Sequence, residues 1–212
     1  MKTDDFINAL VEDQGVKVAA SGRRFGSQMG AGLGLSLAIF VVFLGVRHDF
    51  AVALSDPHVM FKFIFAASLV GCLLPVVIRA VRPEVRLLQP LRWVALPLVV
   101  LGAGVAFQLL TSAPEAWLTG MIGQNPGSCL KSIPALAVGP LVVLLLILRN
   151  GAPTRPVLSG AVAGIVSGGF AAFIYALHCP DDSALFVALW YSLAIGITAL
   201  AGALLGNRFL RW

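Results

Sequence analysis

Six apolar runs dominate the chain, each long enough to cross ~30 Å of hydrocarbon as a helix of roughly 17–25 residues. They cover about 29–46, 60–79, 93–112, 132–149, 156–177 and 184–206. The first, MGAGLGLSLAIFVVFLGV, carries no charge. The second is bracketed by Lys62 and Arg79, whose long stems are expected to snorkel to the two interfaces. The other four contain no Asp, Glu, Lys or Arg apart from Arg149, the last residue of its run. This pattern predicts an all-α membrane protein: a six-transmembrane-helix bundle preceded by a short amphipathic helix. Within the runs, Gly160, Gly164 and Gly168 recur every four residues, as do Gly202 and Gly206, and Gly30 and Gly34. Small residues at that spacing let helix backbones approach closely, and the expected use is packing within one bundle, not a seam between copies.

The polar start, MKTDDFINALVEDQGVKV, reads differently. Thr3 suits an N-cap, Asp4 and Asp5 suit the positive end of a helix dipole, and Gly15 is a natural stop. Phe6, Ile7, Leu10 and Val11 fall on one face. So short a helix is marginal alone, and its acidic character fits an anionic membrane surface poorly. A protein partner with an apolar, basic groove is the better match; a leader without structure is the alternative. The first apolar run begins only after this segment and is of full length, so it reads as a span and not as a cleavable signal. Two units follow: residues 1–26 as a partner-binding tail and 27–212 as the membrane domain.

Composition agrees, with 58% hydrophobic and 12% charged residues and a mean hydropathy of +0.92. A soluble domain of this length needs far more polar surface. The distribution of the net charge of +5 sets orientation. Lys2, Lys17, Arg23, Arg24, Arg79, Arg82, Arg86, Arg92, Arg149, Arg155, Arg208 and Arg211 fall on one side, against Arg47, Lys62 and Lys131 on the other. By the positive-inside rule both termini are cytoplasmic. Because the arginines flank apolar segments and form no single patch, direct nucleic-acid binding is not expected.

That orientation puts LHCPDD (Leu177–Asp182) outside, with the segment around Cys129 and the loop bearing His48, Asp49, Asp56 and His58. Ion-coupled transport is disfavoured, because the span interiors lack the ionisable residues that mark a pathway. No Ser/His or His/Glu constellation suggests a hydrolase, and no enzyme is expected. The remaining chemistry is the outer cysteine pair, Cys129 and Cys179, near the ends of runs joined by a short linker. Either a permanent disulfide or a reactive pair fits. With His178 or His58, two thiolates would suit Cu(I), Zn(II) or Cd(II), a metal acting as signal and not as a required cofactor. Cys72, mid-span, is expected to be a small buried apolar residue.

The opening MKTDDFINALVED and the blocks CLKSIPALAVGPLVVLLLILRNGAPTRP and GGFAAFIYALHCPDDSALFVALWY resemble the NrsF family of bacterial membrane anti-sigma factors. The resemblance implies a cytoplasmic N-terminal segment followed by six spans in the inner membrane. It also implies sequestration of an extracytoplasmic-function sigma factor, with Cys129 and Cys179 taking part in sensing heavy metals or oxidants. No zinc-binding HxxxCxxC is present. Two other readings stay open on the residues alone: a membrane thiol-redox or metal-handling protein acting through the cysteine pair, and a structural membrane subunit. The stretch Ala113–Gln124 suggests nothing specific.

Overall fold

The computed structural model describes residues 22–81, 90–151 and 153–211. The N-terminal residues assigned to partner binding (Asp4, Asp5, Phe6, Ile7, Leu10 and Val11) lie outside that range. The described residues form helices and turns: α1 (Gly22–Phe43), α2 (Phe50–Ala53), α3 (Pro57–Ala80), α4 (Ala95–Thr111), α5 (Glu115–Ile122), α6 (Pro126–Arg149), α7 (Pro156–Tyr175) and α8 (Ala184–Phe209). A 3-10 turn (Pro90–Val94) leads into α4.

Six of these helices, α1, α3, α4, α6, α7 and α8, are long and apolar enough to cross a membrane. The chain is therefore a multi-pass membrane protein. Successive crossings gather residues 44–56, 112–125 and 176–183 at one end of the bundle. Two boundaries differ from the hydropathy reading for a local reason. Pro57 and Pro126 occupy the first helical turn, where a missing N–H costs nothing, so α3 and α6 begin earlier than their apolar runs. Cys129 consequently lies in the first turn of α6 and not in the loop before it.

Helix α7 is the centre of the bundle, with α3, α6 and α8 packed around it. Its glycine stripe faces α8: a Cβ at Gly160 would land on the carbonyl oxygen of Gly202, and one at Gly164 on that of Thr198. Thr198 closes the seam by donating to Gly164 O (3.0 Å). This is the intramolecular use expected of the pattern. Gly30 and Gly34 depart from it, since both are exposed with open space beside them. Gly32 makes the close approach instead, against Gly139 of α6.

Proline explains why α1 docks there. Pro140 cannot donate the helical hydrogen bond that Leu136 O would accept, and an unmet carbonyl is costly in a membrane. The Ser36 hydroxyl of α1 supplies the donor (2.6 Å). Elsewhere α1 is largely exposed, as is α4 at the edge of the bundle.

Candidate functional site

The polar chemistry of the molecule converges on the turn Leu177–Ser183. Both cysteines of the expected pair are fully buried in the same core cluster. They lie close enough to each other, to Lys62 and to Asp181 for their charges to interact. All three cysteines are free thiols. Two tyrosines roof the pair from α7 and α8, Tyr175 and Tyr191, with ring centroids 6.0 Å apart. A π-helical turn, Val187–Tyr191, ends on Tyr191, and such turns shift a residue off the regular helical register.

The two aspartates after Cys179 pull in different directions. Asp181 accepts from the backbone amides of Gln124 (2.9 Å) and Asn125 (3.2 Å). It thereby serves the start of α6, where Pro126 has no N–H and Asn125 makes no side-chain cap. Gly123 permits this approach: its φ is +65°, and a Cβ would meet the Asp181 carboxyl carbon. Asp182 points the other way, to Lys62 Nζ (2.6 Å) and the Arg47 guanidinium (3.0 Å).

Lys62 overturns the snorkelling expectation. It is fully buried, and its ammonium turns inward to donate to Cys179 O (2.9 Å) and Asp181 O (3.3 Å) as well as to Asp182. A buried ammonium needs both a counter-charge and hydrogen-bond acceptors, and the turn provides both. Arg79, by contrast, is exposed at the far end of α3, as expected.

Arg47 joins the segment that follows α1 to the same turn. Its backbone N–H donates to Leu177 O (3.1 Å), and its Nη1 donates to Cys179 O (3.3 Å) and Asp182. The other edge of the guanidinium holds Asp49 through two 2.6 Å contacts. That bond raises the Arg47 pKa against the opposing effect of burial, and lowers Asp49 to about 2, so both stay ionised. Burial pushes the Cys179 thiol up, and the Lys62 charge only partly counters it. At neutral pH the thiol is therefore protonated and sealed, a guarded group and not an activated one.

The turn closes on α4 as well. Gln108 Oε1 accepts from the backbone amides of Ala184 and Leu185 (3.3 Å for the latter), and its Nε2 donates to Ser183 Oγ (2.8 Å). Gln108 and Ser183 thus cap α8 together. Trp190 Nε1 donates to Met121 O (3.0 Å), holding α5 over this end.

Comparison with known proteins places this arrangement. The family model for NrsF, described as negative regulator of sigma F, matches residues 10–212. The chain belongs to the NrsF family. The chain is 36% identical over 217 residues to the probable anti-sigma-F factor NrsF of Azospira oryzae, covering all of both chains. It is 36% identical over 219 residues to the anti-sigma-F factor NrsF of Caulobacter vibrioides, again over the full length of both. No solved structure matches it.

Within this NrsF-family chain, the structure brings Cys129 and Cys179 together but not the two histidines. His178 Nδ1 lies 3.0 Å from Gly45 O, its ring against Tyr175. His58 pairs with Asp56 (2.9 Å), whose pKa is lowered chiefly by the His58 backbone amide. Among the described residues, no three or more His, Cys, Asp or Glu side chains are grouped as a metal site. Cys72 is half-buried in α3, less enclosed than expected. Lys62, Arg47 and Gln108 were not foreseen as members of the site. The only available signal was that each is a long polar side chain in or beside an apolar run.

Proposed function

We propose that this protein is a membrane-bound anti-sigma factor of the bacterial inner membrane, with both termini cytoplasmic. In this reading residues 1–14 hold an extracytoplasmic-function sigma factor, of the sigma-F kind named for the relatives. The acidic amphipathic face of Phe6, Ile7, Leu10 and Val11, flanked by Asp4 and Asp5, makes the contact. A heavy metal or oxidant engages Cys129 and Cys179 on the periplasmic face, and the sigma factor is released. The observation that supports the sensing half is the burial of two free thiols in one core cluster, within electrostatic reach of each other, at the end of the bundle away from α1's N-terminus. Membership of a family of sigma-F regulators carries the other half.

The environment of the thiols narrows the signal. They are buried, and the Cys179 pKa is raised by that burial. A small species that reaches them directly, or one that opens the turn, is favoured over a bulky substrate. The same burial counts against the alternative of a thiol-redox or metal-handling protein that turns over external substrates. Two thiols with no third donor clustered beside them among the described residues favour a soft ion over zinc, which almost always takes four ligands. For a near-complete switch, the signal must favour the released state by about 5.5 kcal/mol more than the holding state.

The test uses the full chain in its native membrane. Cys129→Ser and Cys179→Ser should capture the sigma factor as before but lose induction by metal or oxidant; normal induction in both would end the sensor reading. Deleting residues 1–14 should abolish capture while leaving membrane insertion intact. Undiminished capture by the truncated chain would refute the tail assignment.

A further inference from the structure

The two thiols sit on different pieces of the molecule, and one helix is attached to both pieces. Cys129 belongs to α6, along which α1 is seated through the Gly32–Gly139 approach and the Ser36–Leu136 hydrogen bond (2.6 Å). Cys179 belongs to the turn after α7, and the segment that follows α1 is fastened to that turn. His178 Nδ1 contacts Gly45 O at 3.0 Å, Arg47 N–H donates to Leu177 O at 3.1 Å, and the Arg47 guanidinium reaches Cys179 O and Asp182.

The rest of the bundle cannot readily absorb a change between these pieces. Helices α7 and α8 are locked by backbone-to-backbone glycine contacts, where a slide of one past the other would drive carbonyls into the opposing chain. Helix α1 is held far more lightly, by one such glycine contact, Gly32 against Gly139. Apart from its strip along α6, most of its surface is exposed, and Gly30 and Gly34 have open space beside them. Its inner end continues in sequence into residues 1–21.

We infer that α1 is the transmission element of the switch and that the Arg47–Asp182 ion pair is its joint. Resting on the function proposed above, this assigns the signal a route. Linking the Cys179 turn to the Cys129 helix shifts the turn relative to α6. Arg47 carries that shift into α1, and α1 moves the N-terminal segment that holds the sigma factor. Arg47 is thus a positioning residue: it touches neither sulfur atom with its charged group, and acts through the Cys179 carbonyl and Asp182.

The experiment uses the full-length protein with the azo oxidant diamide as the probe. Forming the bridge removes two protons and two electrons from the two thiols, and the N=N bond takes them up to become a hydrazine. Bridge formation is read by the loss of maleimide–polyethylene glycol labelling at Cys129 and Cys179 in a Cys72→Ser background. Sigma-factor release is read in the same samples. Arg47→Gln should still bridge under diamide but no longer release; release equal to that of the parent would overturn the joint. Should Arg47→Gln fail to accumulate, hydrogen exchange of the parent protein in nanodiscs decides the matter. On bridging, protection should change in residues 25–50 and stay constant along the α7–α8 seam. Unchanged exchange in α1, or change confined to the seam, would refute the route. If the parent never bridges and never releases, the thiol-sensing function falls first and this inference with it. A parent that bridges and releases while Arg47→Gln does the same sinks this inference alone.

Discussion

The Lys62–Asp182 pair offers the sharpest energetic test, because its two members differ in their access to water. The Lys62 side chain is 0% exposed and that of Asp182 is 22% exposed. Across their 2.6 Å contact, the gross attraction is roughly 6 kcal/mol at an effective dielectric of about 20. Much of that offsets the loss of hydration, so the pair's net worth is far smaller than its gross attraction. Removing one partner is another matter. Asp182→Asn leaves a buried ammonium with two carbonyl acceptors and no counter-charge, at a cost of ~3–5 kcal/mol. Lys62→Met keeps the apolar stem and loses the charge; Asp182 retains Arg47 and some water, so the expected loss is ~1–2 kcal/mol. The double variant should resemble Lys62→Met, because the stranded charge has gone. The coupling energy then equals the Asp182→Asn loss, ~3–5 kcal/mol. Reversible unfolding in mild detergent, followed by tryptophan fluorescence and repeated for all four proteins, measures the cycle. If the two single losses simply add to within ~0.5 kcal/mol, Lys62 does not depend on Asp182, and the account of this site is wrong.

Three further expectations rest on separate contacts. Gly160→Leu forces a side chain into Gly202 and should cost at least ~1–3 kcal/mol; Gly30→Leu, facing open space, should stay within ~0.5 kcal/mol of the parent in the same detergent unfolding assay. Equal effects at the two sites would deny the seam. Asp181→Ala removes the distant cap of α6 and should cost ~0.5–2 kcal/mol while raising the rate of Cys129 alkylation; an unaltered rate would show that this cap does not guard the thiol. In a Cys72→Ser/Cys129→Ser background, alkylation of Cys179 follows its thiolate fraction, so the pKa raised by burial moves the rate profile to higher pH. The rate should still climb above pH 9.0, the ordinary thiol value, and a plateau at lower pH would contradict the burial argument.

Much of the fold is written in local patterns. Run lengths gave the six spans, and the four-residue glycine spacing gave the α7–α8 seam, because each depends on residues near one another in the chain. The thiol pair was legible for a similar reason: both cysteines sit close to the ends of apolar runs that finish at the same face. Lys62 was not. At a run's edge it reads as a snorkelling residue, and only the return of Asp182 from the far end of the chain draws its ammonium inward. Gln108 was missed likewise, since the amides its Oε1 accepts from belong to the first turn of α8, far along the chain. Gly30 and Gly34 show the converse error. Their spacing is right, yet the orphaned carbonyl made by Pro140 rotates α1 so that Gly32 and Ser36 meet α6 instead.

The inward turn of Lys62 also bears on how the protein is made. Helix α3 enters the bilayer during synthesis before residues 177–182 exist, so Lys62, in the second turn of α3, at first lacks the counter-charge and carbonyls that hold it in the finished bundle. At roughly 5–20 residues per second, Asp182 follows some ten seconds later. During that interval water is the partner that a charged ammonium requires. Arrival of the sixth span then completes a site begun by the second. The burial of Lys62 is thus a late event: a chain truncated before Asp182 lacks the carboxylate that neutralises this lysine in the full chain.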